Sequence, residues 1–387
     1  MTVPDVFSPA KLGPLTLRNR TIKSATFEHM APGALVSDDL IEFHRAHAAG
    51  GVGMTTVAYC AVAPEGRTER DQILMRPEAL PGLRRLAEAV HAEGAAISAQ
   101  IGHAGPVANG KSNGVHALAA SRAFSPLSMQ KIRSATHADI ERVTRAHADA
   151  ALLAAEAGFD AVEIHFGHNY LASSFLSPLL NKRKDEYGGS LENRAKVARG
   201  AARAVREAVG DRIAILAKLN MEDGVRGGFQ IEESLQVARW LEQDGSLDAL
   251  ELTAGSSLLN PMYLFRGEAP VKEFAATFSQ PLKLGVQLSG KKFIREYPYQ
   301  EAFLLESARR FREALRLPLV LLGGVSTRAT MDLAMAEGFE FVAMARALLR
   351  EPDLINRLQK DPETPSLCTH CNKCMPTIFT KTHCVLA

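Results

Sequence analysis

Eight short apolar runs, each followed by a longer polar or Ala-rich run, constrain the fold of this chain more than any other feature. The short runs are TIKSAT (21–26), GVGMTTVAYC (51–60), AAISAQIGH (95–103), DAVEIHF (160–166), IAILAKLN (213–220), LDALELTAG (247–255), LPLVLLGGV (317–325) and EFVAMARA (340–347). Apolar runs of this length, rich in β-branched residues, read as strands buried on both faces. The helical patterns between them include 138–158, 191–210 and 232–245, and several end in Gly just before the next strand, a helix-stop signal. Ser190 is a suitable N-cap for the second, with Asn193 at its third position. Eight βα units predict a (β/α)₈ TIM barrel. An open doubly wound sheet is the competitor, but no G-x-G-x-x-G follows the first strand. The longest irregular insertion, 256–300 after strand 6, exceeds a simple connection, so it is expected to lie over the barrel mouth and shape the substrate site. The division expected is a barrel over 1–360 and a Cys-containing C-terminal tail over 361–387 packed on it.

Composition removes several function classes. A formal net charge of +2 gives no general pull towards nucleic acid or an anionic membrane. No apolar run reaches the roughly 18–20 residues of a membrane span. The N-terminal residues contain no apolar signal core, so a cytoplasmic location is expected. Oligomeric state is left open, a homo-oligomer included.

A barrel builds its site at the carboxyl ends of its strands. There the fourth strand is followed by His165, His168 and Tyr170. Two imidazole N–H groups converging on one acceptor polarise a carbonyl or nitro oxygen. A phenol two residues on can deliver a proton to a neighbouring carbon. The plainer reading is one packed and one surface histidine; a metal site has no third ligand nearby in sequence. Lys218 stands inside an apolar strand and must face the mouth or be paired. Gln100 ends strand 3 and offers both donor and acceptor to a heterocycle edge. Gly323 and Gly324 end strand 7, and Ala345 and Arg346 end strand 8; small residues and a fork of N–H donors there suit a phosphate. The alternative is a tight turn beside a surface charge.

Together these segments resemble the Old Yellow Enzyme family of flavin-dependent NAD(P)H:enone reductases. The resemblance runs through FSPAKLGPLTLRNRTIKSAT (7–26), PEGR (64–67), AQIGHAG (99–105), EIHFGHNYLASSFLSPLLNKRKDEYGGSLENR (163–194), GGV (323–325) and ARALLREPDL (345–354). It implies non-covalent FMN as cofactor, NAD(P)H as hydride donor and a small-molecule enone as substrate. It places Ser24, Ala25, Thr26 and Tyr59 along the flavin, Gln100 at its pyrimidine edge and Lys218 beside N1 and O2. Gly323, Gly324, Ala345 and Arg346 would hold its phosphate. His165 and His168 would grip the substrate oxygen, and Tyr170 would donate the proton. Asn169 stands where the family has glycine and is expected to alter the turn before Tyr170. Phe27 stands where some relatives carry a cysteine, and can only pack near the ring.

Cys368, Cys371, Cys374 and Cys384 form a C-x₂-C-x₂-C run with a fourth Cys. The run resembles the iron–sulfur ligands of larger relatives such as trimethylamine dehydrogenase and dienoyl-CoA reductase. Its spacing also suits zinc. With no further domain following to accept electrons, reduced thiols packing a terminal turn are preferred, and the tail is expected to be dispensable for flavin reduction. The rival activities are a flavin dehydrogenase of amine or dienoyl type using a [4Fe–4S] cluster, and a flavin-free phosphate-binding lyase or isomerase.

Overall fold

The structure is a computed structural model, and it describes residues 3–125, 129–280 and 282–387. Eight parallel strands close into a barrel in sequential order. They are β1 (Thr21–Lys23), β2 (Met54–Ala61), β3 (Ala96–Gly102), β4 (Ala161–Phe166), β5 (Ala214–Asn220), β6 (Ala249–Thr253), β7 (Leu319–Leu321) and β8 (Phe341–Met344). Seven of the eight expected runs contain one of these strands, and β2 runs one residue past its run, to Ala61. The observed strands are shorter because each expected run includes connecting residues before the strand, after it, or both.

The outer helices are α1 (Asp38–Ala49), α2 (Leu80–Ala92), α3 (His137–Glu156), α4 (Leu191–Val209), α5 (Ile231–Asp244), α6 (Leu305–Ala314) and α7 (Arg328–Ala336). Ser190 caps α4 by accepting from the Asn193 amide, and Thr136 and Asp139 form a reciprocal capping box on α3.

The barrel interior divides by height. Its lower layer is apolar, with Met54, Leu216, Val320 and Phe341 meeting Leu12 and Leu17. Those two leucines come from a hairpin, Ala10–Leu12 paired with Leu15–Leu17, that closes the bottom. Full burial of such side chains stabilises by about 1.5–3 kcal/mol each. Two residues further along each strand the lumen turns polar, because alternate side chains share a face. Leu216 gives way to Lys218, and Ala161 to Glu163.

Two excursions leave the βα pattern. The segment after β6 is not irregular: it forms helices Pro261–Phe265, Val271–Ala276 and Leu282–Phe293. Between β3 and α3 the chain adds a small sheet of Leu118–Ala119, Ala123–Ser125 and Gln130–Ser134, which the periodicity did not announce. Among the described residues no helix is long and apolar enough to cross a membrane.

Candidate active site

A cavity of about 560 Å³ opens at the carboxyl ends of the strands. Every position singled out for cofactor or substrate from the sequence lines it. Ser24, Ala25 and Thr26 leave β1 into it, Tyr59 and Gln100 come from β2 and β3, and Lys218 rises from β5. Gly323, Gly324, Ala345 and Arg346 form the opposite wall.

His165 ends β4 pointing inward, and the chain then turns sharply. His168 and Asn169 both adopt left-handed backbone, with φ of 57° and 60°. Asparagine tolerates that region better than other side chains. Its amide donates to Asp223 Oδ1 at 3.0 Å and its oxygen accepts from Ser256. Asn169 thus holds the left-handed turn before Tyr170 with both ends of its side chain bonded. Tyr170 caps the short helix Leu171–Leu176. Its ring meets His165 edge-on at 4.5 Å and Tyr59 at 5.3 Å, while the two imidazoles lie 5.1 Å apart.

Of the two histidines, His168 Nε2 sits 2.9 Å from Thr253 Oγ1, and buried His165 Nδ1 has no partner among the described residues. Burial, then the neighbouring His168 and the Lys218 charge, push His165 well below the ordinary histidine range. Burial and Lys218 lower His168 to about 3. Both rings are thus neutral at physiological pH and each offers one N–H. Burial raises the Tyr170 phenol, which keeps its proton.

The buried neutral histidines carry a stability consequence. His47 is lowered to about 3 and His147 to about 4, again chiefly by burial. Their folded values lie below the roughly 6.5 of an unfolded histidine. The unfolded chain therefore binds more protons as pH falls through about 6.5, and the stability present above that pH is progressively lost towards 3 to 4. Thermal melting of the apoprotein should drop steadily between pH 7.5 and 5. A flat profile over that interval would contradict these environments.

Lys218 is tied more tightly than its sequence context implied. Its Nζ lies 3.0 Å from Glu251, 3.1 Å from Glu163 and 3.1 Å from Ser24 Oγ, so all three N–H donors are engaged. Gln100 Nε2 donates to Glu163 at 2.6 Å, and Ser24 donates to Glu251 at 2.7 Å. Glu163 and Glu251 were not singled out from the sequence. The signal was available: Glu163 is two residues from His165 on one strand face, and Glu251 pairs in register with Lys218.

Arg346 donates through Nη1 to the Arg266 carbonyl at 2.9 Å and to the Asn372 side chain. Its Nε and Nη2 carry no hydrogen bond among the described residues, which leaves one edge of the fork for an anion. Gly323 and Gly324 take φ of 99° and 78°, and a Cβ would strike Leu304 in the first and the Gln300 carbonyl in the second. The glycines are required by the turn itself, and the turn borders the cavity. An open guanidinium edge, an unpartnered imidazole nitrogen and a volume in the usual range for ligand sites fit an FMN-sized anion with a polar heterocycle.

The cysteine segment folds across this same cavity. His370, Cys374, Met375, Phe379 and Thr382 line it. His370 stacks on Tyr299 with centroids 3.3 Å apart, and Thr382 bonds the carbonyls of Phe27 and Glu28. Phe27 lines the cavity, as expected. The four tail cysteines are free and partly exposed. Among the described residues no three thiol or imidazole ligand atoms of this tail lie within 4.8 Å of one another.

The profile of the NADH:flavin oxidoreductase / NADH oxidase family matches residues 5–253. A 4,4'-dithiodibutanoate disulfide reductase of Rhodococcus erythropolis is 55% identical over 383 residues, covering 99% of this chain and 95% of its own length. A metal reductase of Desulforamulus reducens is 33% identical over 97% of this chain, which spans only 52% of it. The structure of a 2-naphthoyl-CoA reductase in complex with 2-naphthoyl-CoA superposes with a TM-score of 0.84 at 26% identity, covering 99% of this chain and 57% of that one. With a barrel whose mouth holds every residue expected around a flavin, and a family profile matched through β1 to β6, this chain belongs to the NADH:flavin oxidoreductase / NADH oxidase family, FMN-binding enzymes that draw on NADH or NADPH.

Proposed function

We propose that the protein takes reducing equivalents from NAD(P)H and reduces the activated C=C bond of an α,β-unsaturated carbonyl compound. The observation that carries this is the group of His165, His168 and Tyr170 at one wall of the cavity, two neutral imidazoles and a protonated phenol within ring contact. When bound, FMN supplies the two-electron carrier between donor and acceptor. Ser24, Ala25, Thr26, Tyr59 and Gln100 would hold it along the strand ends, and Lys218 would sit at its pyrimidine edge. Arg346, Ala345 and the Gly323–Gly324 turn would hold its phosphate. His165 and His168 would bind the substrate oxygen through their N–H groups, and Tyr170 would hold the proton for the α-carbon. The outer cavity is walled by Phe265, Phe274, Phe293 and Phe379, which suits an apolar substrate body.

A second reading rests on the relative that is 55% identical end to end: an organic disulfide as acceptor, with two electrons and two protons giving two thiols. Against a dicarboxylate disulfide stands the lining of the cavity, where the only lysine and arginine among the described residues are Lys218, tied to Glu163 and Glu251, and Arg346, whose open edge the FMN phosphate would take. Anaerobic stopped-flow separates the readings. Protein reduced by NAD(P)H is mixed with 2-cyclohexenone or with 4,4'-dithiodibutanoate, and flavin reoxidation is followed. Faster reoxidation by the disulfide would displace the enone reading. The C-x₂-C-x₂-C run with Cys384 has the ligand count for a [4Fe–4S] cluster and for zinc. Iron analysis of anaerobically purified protein decides between a cluster and plain thiols.

A further inference from the structure

Beneath the cavity lies a buried group of charges that the proposed reaction has not used. Glu163 on β4 and Glu251 on β6 flank one ammonium, Lys218 on β5, at 3.1 and 3.0 Å. All three side chains are buried. Glu251 Oε2 has no partner among the described residues. The charges do not balance: two carboxylates and one ammonium leave a net −1. A lone surplus charge without solvent is costly, and such a site reduces it by taking up a proton.

The surroundings do not supply the missing positive charge. Around Glu163 stand Lys218, Glu251, Gln100 and Ser24. The nearest other buried cation, Lys23 on β1, is already paired with Glu28 at 2.8 Å. His165 and His168, on the mouth side, are held neutral. The positive charge of Lys218 is therefore spoken for. An electron pair added to a flavin above it would meet a group that is neutral at best, and negative when both carboxylates are ionised.

We propose that the Glu163–Glu251 pair is a proton-accepting site that takes one proton from solvent when the flavin over Lys218 is reduced. The proposal rests on the placement of the FMN pyrimidine edge at Lys218 given above. The balance is simple. NAD(P)H delivers a hydride, which leaves NAD(P)⁺ and places two electrons and one proton on the cofactor. Separately, a carboxylate of the pair binds one proton from water and becomes a carboxylic acid. Its negative charge disappears as one is added overhead. The proton belongs to the pair, in which two carboxylates share one ammonium and Glu251 Oε2 has no partner among the described residues. Burial, with the Glu251 charge, raises Glu163 above the ordinary glutamate range despite Lys218. Reduction raises it further, so the uptake falls in a pH window above its value in the oxidised protein. Below that window the pair already carries the proton, and above it neither state does. Glu163 and Glu251 are positioning residues here, acting through Lys218 and charge alone.

Two measurements test this. The first is the pH dependence of the two-electron midpoint potential of the FMN-loaded protein between pH 6 and 10, about the range where a raised carboxyl titrates, read as protons taken per electron pair. The wild type should show two protons inside the window and one on either side. E163Q keeps the acceptor that Gln100 bonds, and should show one proton throughout. Should E163Q not fold, E251Q removes the other half of the pair and should show the same loss. The second measurement is the carboxyl ¹³C resonances of glutamate-labelled protein, with and without oxidised FMN. Resonances assigned to Glu163 and Glu251 should move when FMN is added. One proton per electron pair at every pH, with resonances that do move, would overturn the proposal and leave the flavin placement standing. Resonances indifferent to FMN would overturn the placement, and the proposal with it.

Discussion

Replacing His165 or His168 by Ala is expected to slow reoxidation of the reduced protein by an enone by roughly 10²–10³, the usual cost of one preorganised donor. Reduction by NAD(P)H should change much less. The reason is geometric. His165 is buried with an unpartnered nitrogen, and His168 is fixed by Thr253 and by the hydrogen bond its backbone N–H donates to Asn220 Oδ1. Neither ring must reorganise to meet an oxygen. Because both are neutral, the loss should be independent of pH from about 5 to 8. Tyr170→Phe should affect only the step that needs a proton. Separate stopped-flow measurement of the two half-reactions checks this. Equal losses in both halves would show that the histidines hold the nicotinamide or the fold instead.

The other large effect is expected at Arg346. Arg346→Ala should weaken FMN binding about tenfold to a hundredfold, the range for losing hydrogen bonds from a charged donor at about 1.5–3 kcal/mol. The same residue also anchors the cysteine segment through Asn372 and the Arg266 carbonyl. The apoprotein should therefore melt earlier as well. Arg346→Lys keeps the charge but not the fork, and should recover only part of either property. Titration of apoprotein with FMN, followed by fluorescence quenching, gives the affinity, and a thermal melt of the same sample gives the stability. Unchanged FMN affinity would mean that the guanidinium serves only the tail.

Much of this was legible in the sequence because it is local. A strand-end segment that carries His165, His168 and Tyr170 within six residues states its chemistry on a short piece of chain. Lys218 was legible by contradiction, as a charge in an apolar strand. The same contradiction marked Glu163 and Glu251, yet neither was read, because each seemed an ordinary polar residue in its own strand. Only the register of β4, β5 and β6 brings the three together. The support of the turn at Asn169 was not legible, because it comes from Asp223 and Ser256, both distant in sequence. The helices after β6 were hidden by short, aromatic-rich segments with no clear period. Least legible was the course of the tail, since nothing in CTHCNKC indicates that it lies over the mouth of a barrel.

That course has a bearing on biosynthesis. Thr382 bonds the carbonyl of Phe27, 355 residues upstream, and β8 must pair with β1 before the barrel closes. While the last fifth of the chain is still unmade, the glycine turn and Arg346 of the phosphate-side wall, the closing strand β8 and Phe379 of the outer wall are all missing. A nascent chain can build most of its helices, but it has no finished pocket for a flavin to enter. Cofactor capture is then expected to be a late event, following the pairing of β8 with β1.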